Sequence, residues 1–173
     1  MRLRLLAIPL LMLSAVTLSG CDGGGGDGLS LKEYYAELTR LQAIAGQRTP
    51  SADVHLGDIP ADTPPEELRR RLKEGLTASR ELNGAFRDDL KSIEPPRKAE
   101  TAHEEFVASI DAVSAWLEGT IAAVDGVNSL EEFEARVDFS AYGDVEQRFV
   151  EACSELERIA TDNGVQVDLQ CTQ

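Results

Sequence analysis

The sequence predicts an all-α fold, an antiparallel four-helix-bundle-like domain with a short extra helix and an extended C-terminal tail. Three observations carry this expectation. Apolar residues recur at steps of three and four along four long segments. Helix starts and stops punctuate those segments at Thr63-Pro64-Pro65-Glu66, Glu94-Pro95-Pro96 and Asn163-Gly164. Aromatic content is only 5%, while Ala, Leu and Glu are plentiful, a composition suited to helices rather than sheets.

The first helix reads as Leu31 onward, with Leu31, Tyr34, Leu38, Leu41 and Ala45 on one face and Gly46 as its expected terminator. Gln47 to Asp62 shows no period and contains Pro50 and Pro60, a long connection for a compact domain. Thr63 is expected to cap the second helix, with a proline at its first position and Glu66 completing a capping box. Its stripe is Leu68, Leu72, Leu76, Leu82, Phe86, Leu90 and Ile93, and Glu94-Pro95-Pro96 ends it, because a residue before proline is driven out of the helical region.

A third helix is expected from near Arg97. Ala99, His103, Phe106, Ile110, Val113, Leu117, Thr120 or Ile121, and Val124 alternate steps of four and three, the seam of a helix packed nearly antiparallel to its neighbour. Gly126 and Asn128 interrupt, and a short helix follows with Ser129 and Glu132 at its start. The last helix spans about Ser140 to Asp162 with Val145, Phe149, Cys153, Leu156 and Ala160 inward. Short breaks between the later helices favour an up-down-up-down path; the long connection after the first leaves room for a crossover.

Ahead of this domain, Arg2 and Arg4 precede an apolar run from Leu5 to about Leu18, the charged start and apolar region of a signal peptide. The run is short for a permanent transmembrane helix, which needs about 20 apolar residues. Leu18-Ser19-Gly20-Cys21 resembles the lipobox of bacterial lipoproteins. The resemblance implies cleavage before Cys21, leaving 1–20 as signal peptide, and a lipid, palmitate included, on the Cys21 end of the mature chain. Asp22 resembles the residue that retains lipoproteins in the inner membrane of some two-membraned bacteria. The glycine run that follows lacks the strand and the lysine of a phosphate-binding loop. It reads instead as a flexible tether, 22 to 28, with a root-mean-square span of roughly 15 Å and a stretched limit of about 25 Å.

With Cys21 assigned to lipid, Cys153 and Cys171 form an even pair in an exported chain. The alternating Val165, Val167 and Leu169 give an extended tail able to fold back along the last helix, so a structural disulfide is expected. A catalytic cysteine is the sharper alternative, but the two histidines lie in no nucleophile motif. The segments IEPPRKAETAHEEFVASI and EACSELERIATDNGVQVDLQC resemble parts of uncharacterised bacterial lipoproteins and exported helical proteins. That resemblance implies a helical domain outside the cytoplasm and transfers no catalytic residue.

With 17 Lys and Arg against 31 Asp and Glu, the chain carries a net charge of −14. Such a balance argues against a nucleic-acid partner and against lying flat on an anionic bilayer. The charge is uneven: Ala99 to Ala135 holds nine acidic residues and no Lys or Arg, whereas 64 to 98 holds nine basic and seven acidic. Glu100-x-x-His103 has the spacing of ferritin-like metal bundles, but the second motif such a site needs is missing from the sequence, which leaves at most a mononuclear site. Asp53, His55, Asp58 and Asp62 could gather round a hard cation, without the spacing of an EF-hand. Trp116 is expected at the edge of the seam, as core. The leading expectation is therefore a lipid-anchored, non-enzymatic domain, residues 29–173, without cofactor, facing outside the cytoplasm and binding an unidentified partner or ligand there, a protein of the cell envelope being one candidate. The alternative is a metal- or cofactor-binding bundle using His103 and nearby carboxylates.

Overall fold

The computed structural model describes residues 29–48, 59, 60 and 62–171. The signal peptide, Cys21, the glycine tether, and Asp53, His55 and Asp58 lie outside the described residues. The fold is all-α, with five helices and no strand among the described residues.

Helix α1 (Leu31–Arg48) opens with a capping box: Glu33 N–H donates to Ser30 Oγ, and the Glu33 carboxylate accepts from Ser30 N–H at 2.9 Å. Its stripe is buried as expected, with Tyr35 and Gln42 added. The helix does not stop at Gly46. It continues to Arg48, whose guanidinium suits a helix C-terminus and lies 4.0 Å from Asp89.

Helix α2 (Pro65–Lys91) starts one residue later than the Thr63 cap would require. Pro65 forces Pro64 into an extended conformation, φ −56° and ψ 143°, so Pro64 becomes the cap residue. Thr63 then lies outside the helix, its hydroxyl donating to the Pro60 carbonyl at 2.7 Å. Leu68, Leu72, Leu76, Leu90 and Ile93 are buried, but Leu82 and Phe86 in the middle of the stripe are only half-buried.

After the Pro-Pro turn, α3 (Glu100–Ala123) buries His103, Phe106, Ile110, Leu117 and Thr120, while Val113 and Ile121 are half-buried. The short α4 (Leu130–Arg136) is capped by Ser129, which accepts from Glu132 N–H, and it buries Phe133. Helix α5 (Phe139–Asp162) is capped by Asp138, which accepts from Ser140 and Ala141 N–H. Its end follows the Asn163-Gly164 signal: Gly164 has φ +72°, Gly164 N–H donates to Thr161 O and Val165 N–H reaches back to Ala160 O. That is a Schellman stop, which needs glycine at the left-handed position.

Helices α2 and α3 run antiparallel, as Lys73 with Asp125 and Arg87 with Asp111 show. The pairs Trp116 with Asp138 and Phe106 with Phe149 set the same relation between α3 and α5. The expected four-helix-bundle arrangement is met only loosely, because α2, α3 and α5 form a three-helix sheaf and α1 packs at one end of it. Both ends of α1 stay at one end of it: Tyr34 meets His103 early in α3, and Arg48 meets Asp89 late in α2. The core accordingly divides in two. One cluster joins α1, Leu90, Ile93, the first half of α3, the second half of α5 and the tail. The other joins the first half of α2, Leu117, the segment 124–127 and α4. Leu82 is buried in neither cluster, which is why the middle of the α2 stripe stays half-open.

Gly84 and Gly119 sit inside α2 and α3, where an added Cβ would meet no atom within 4 Å. Glycine inside a helix costs roughly 0.5–1 kcal/mol relative to alanine. Gly84→Ala and Gly119→Ala should therefore each raise unfolding stability by about that amount, measured by denaturant titration.

Candidate functional site

The Glu100-x-x-His103 motif is split by the fold. Glu100, the first residue of α3, is exposed. His103 is 5% exposed, and its Nδ1 lies 3.0 Å from the Tyr34 hydroxyl, while the ring also donates to the Leu90 carbonyl. The two groups share one hydrogen bond, whose donor depends on the imidazole tautomer. Burial keeps the Tyr34 hydroxyl well above the ordinary tyrosine range, so it stays protonated. Nδ1 is thus engaged within the fold, and among the described residues no three His, Cys, Asp or Glu side chains gather as a metal site. His103 joins α1 to the α2–α3 turn.

A second polar cluster lies across the same end. Tyr35 donates its hydroxyl to the Leu156 carbonyl at 2.6 Å. Cys153 and Cys171 are bridged, with an S–S distance of 2.06 Å and Cα atoms 5.5 Å apart. The bridge holds the tail so that Leu169 is buried, its N–H donating to Glu157 and its carbonyl accepting from Gln42 Nε2. These groups work as fasteners, each tying a backbone or ring of one element to another.

Two surface features lie elsewhere. Trp116 is half-buried; its indole N–H donates to the Asp138 carbonyl at 3.1 Å and its ring lies 4.7 Å from Tyr142. Phe139 beside it is 37% exposed. Between the middles of α2 and α3 runs a groove of about 410 Å³ lined by Arg80, Glu81, Gly84, Arg87, Asp111, Ser114, Ala115 and Glu118. The Ser114 hydroxyl there is shielded from solvent and has no hydrogen-bond partner among the described residues. This groove was not anticipated from sequence. Its only signal is the small side chains Gly84, Ser114 and Ala115, whose meeting depends on the helix register.

The uneven charge is partly used within the fold. Lys73 reaches Asp125 at 2.7 Å, and its ammonium holds that carboxyl below the usual range. Arg87 and Lys91 both reach Asp111. Glu104, Glu105 and Glu118 form no ion pair among the described residues.

No protein-family model, no curated protein and no solved structure matches the chain.

Breaking the bridge as Cys153→Ser with Cys171→Ser should lower unfolding stability by about 3 kcal/mol, the chain-entropy value for a loop of this size; denaturant titration under non-reducing conditions checks it. Burial also holds the His103 pKa below its ordinary value, against the opposing pull of Glu104 and the Leu90 carbonyl. A depressed folded pKa means the folded state binds fewer protons, so this contribution is present above about pH 6.5 and is lost as pH falls below it. The denaturation midpoint should fall between pH 7.5 and 5.5, and His103→Gln should flatten that slope. Tyr34→Phe should cost about 1–2 kcal/mol by leaving the buried imidazole nitrogen unpaired.

Proposed function

We propose that this chain is a bacterial lipoprotein, held at the outer face of the cell membrane by lipid on Cys21, whose helical domain is a non-enzymatic binding module for a protein partner of the cell envelope. One observation carries the reading: Leu18-Ser19-Gly20-Cys21 closes an apolar run that begins with Arg2 and Arg4. The net charge of −14 agrees with a domain that stands off anionic headgroups on its tether. The buried polar groups of the domain support a binding rather than a catalytic role, since Tyr34, Tyr35, Gln42 and His103 are spent on holding helices and tail together. The engagement of His103 with Tyr34 and Leu90 speaks against the metal-binding alternative.

Cys21→Ala should abolish labelling by radioactive palmitate and move the protein from the membrane fraction to the soluble fraction. Membrane retention of the variant at the wild-type level would overturn the anchor.

A further inference from the structure

Two of the three asparagines in the chain are followed by glycine, Asn83-Gly84 and Asn163-Gly164. An Asn-Gly pair carries its own reaction. The glycine peptide nitrogen can attack the asparagine carboxamide carbon, and glycine has no side chain to hinder the approach. Closing that ring asks two things of the structure. The nitrogen must leave whatever hydrogen bond it makes, and the carboxamide must swing over it.

Both asparagines are half-buried, so exposure does not separate them. Position does. Asn83-Gly84 sits well inside α2, where the Gly84 N–H belongs to the internal ladder and freeing it means opening a helix from its middle. The Asn83 carboxamide is turned back as well, its Nδ2 donating to the Ser79 carbonyl at 2.9 Å. Asn163 instead caps the C-terminus of α5, and the Gly164 N–H is held by the Thr161 carbonyl at 3.0 Å, beyond the last helical residue. Helix ends open locally at far lower free energy than helix middles. What restrains Asn163 is therefore its side chain. Nδ2 donates to the Ile159 carbonyl at 2.8 Å, which turns the carboxamide back along α5 rather than toward Gly164. Oδ1 accepts from Lys98 Nζ at 2.7 Å, and Lys98 lies in the turn between α2 and α3, so this second restraint is tertiary.

We propose that Asn163 is a site of spontaneous covalent modification, deamidation through a cyclic imide with Gly164, and that Lys98 is the residue that restrains it. In the first step the Gly164 nitrogen gives up its proton and bonds Asn163 Cγ. The Cγ–Nδ2 bond breaks, and the amino group leaves with that proton as ammonia. Water then opens the imide at one of its two carbonyls, leaving aspartate or isoaspartate; water is the only co-reactant. Either product adds a negative charge at the negative end of α5 and cannot donate to the Ile159 carbonyl. Isoaspartate also lengthens the backbone by one methylene, just where the Schellman stop needs the Gly164 and Val165 N–H groups in register. The change falls inside the loop closed by Cys153 and Cys171, at the point where the tail leaves α5.

The purified full chain in mild detergent is incubated in mildly alkaline buffer made with heavy-oxygen water, which labels each converted site, and mapped by proteolysis and mass spectrometry. A free peptide of residues 161–165 gives the unrestrained rate. Asn163 should convert at least tenfold faster than Asn83 and at least tenfold slower than the free peptide. Lys98→Ala should speed Asn163 at least threefold and leave Asn83 unchanged, the latter serving as the control against general loosening. Conversion at Asn83 as fast as at Asn163, or none at Asn163 over fifty half-lives of the free peptide, overturns the modification site. An Asn163 rate equal to that of the free peptide, one indifferent to Lys98→Ala, or a rise at both sites in that variant overturns the restraint assigned to Lys98.

Discussion

Helix α3 is the wall that the other long helices share. It meets α2 along one flank and α5 along another, and both halves of the divided core include its side chains, Phe106 and Ile110 in one and Leu117 in the other. Continuity of the domain therefore depends on α3 remaining helical between Ile110 and Leu117. There the side chains are small or half-buried, Ala112, Val113, Ser114, Ala115, and hydrophobic packing is thinnest. Arg87 and Lys91, both fastened to Asp111, brace α2 against α3 near that stretch. Such exposed pairs contribute little individually. Their value here is register, because they fix which turn of α2 faces which turn of α3.

The two ends of the sheaf are secured differently. At one end polar groups do the fastening: Tyr34 on His103, Tyr35 on Leu156, Gln42 on the tail, and the Cys153–Cys171 bridge. The Tyr34 and Tyr35 hydroxyls each have a partner there, which offsets their desolvation, whereas the buried Gln42 Oε1 has none among the described residues. At the other end the cluster around Leu68, Leu72, Val127 and Phe133 is almost wholly apolar, closed by α4. Arg69 crosses to the Val127 carbonyl at 2.7 Å and Arg136 to the Asp125 carbonyl at 2.8 Å, so two guanidiniums satisfy the chain as it leaves α3.

Most of the helices were legible because their signals are local. Periodicity located the four long helices, Ser129 and Glu132 marked α4, and Asn163-Gly164 marked the Schellman stop. Misreadings arose where one local rule overrode another or where distance in sequence mattered. Pro65 took the cap from Thr63 by forcing Pro64 into extended geometry. Gly46 was read as a stop, but a single interior glycine costs too little to end a helix whose last turn carries Arg48. Glu100-x-x-His103 has the right spacing for a metal site, yet spacing along one helix says nothing about what stands opposite. Tyr34, 69 residues away, takes the nitrogen. The groove was invisible for the same reason, since it depends on the register in which α2 and α3 meet.

The route by which force would enter the domain follows from the placement of α1. A pull arriving from the N-terminal side reaches the fold at Leu31, the first residue of α1, and passes within one turn to Tyr34 and Tyr35. From there it divides into α3 through His103 and into α5 through Leu156, three residues along α5 from the disulfide-linked Cys153. The end of the molecule nearest any tether is thus cross-linked covalently and by buried hydrogen bonds. The apolar far end and the outer face of α3 lie off that path. A domain pulled from its N-terminal side would strain at its fastened end and leave the outer face of α3 undistorted.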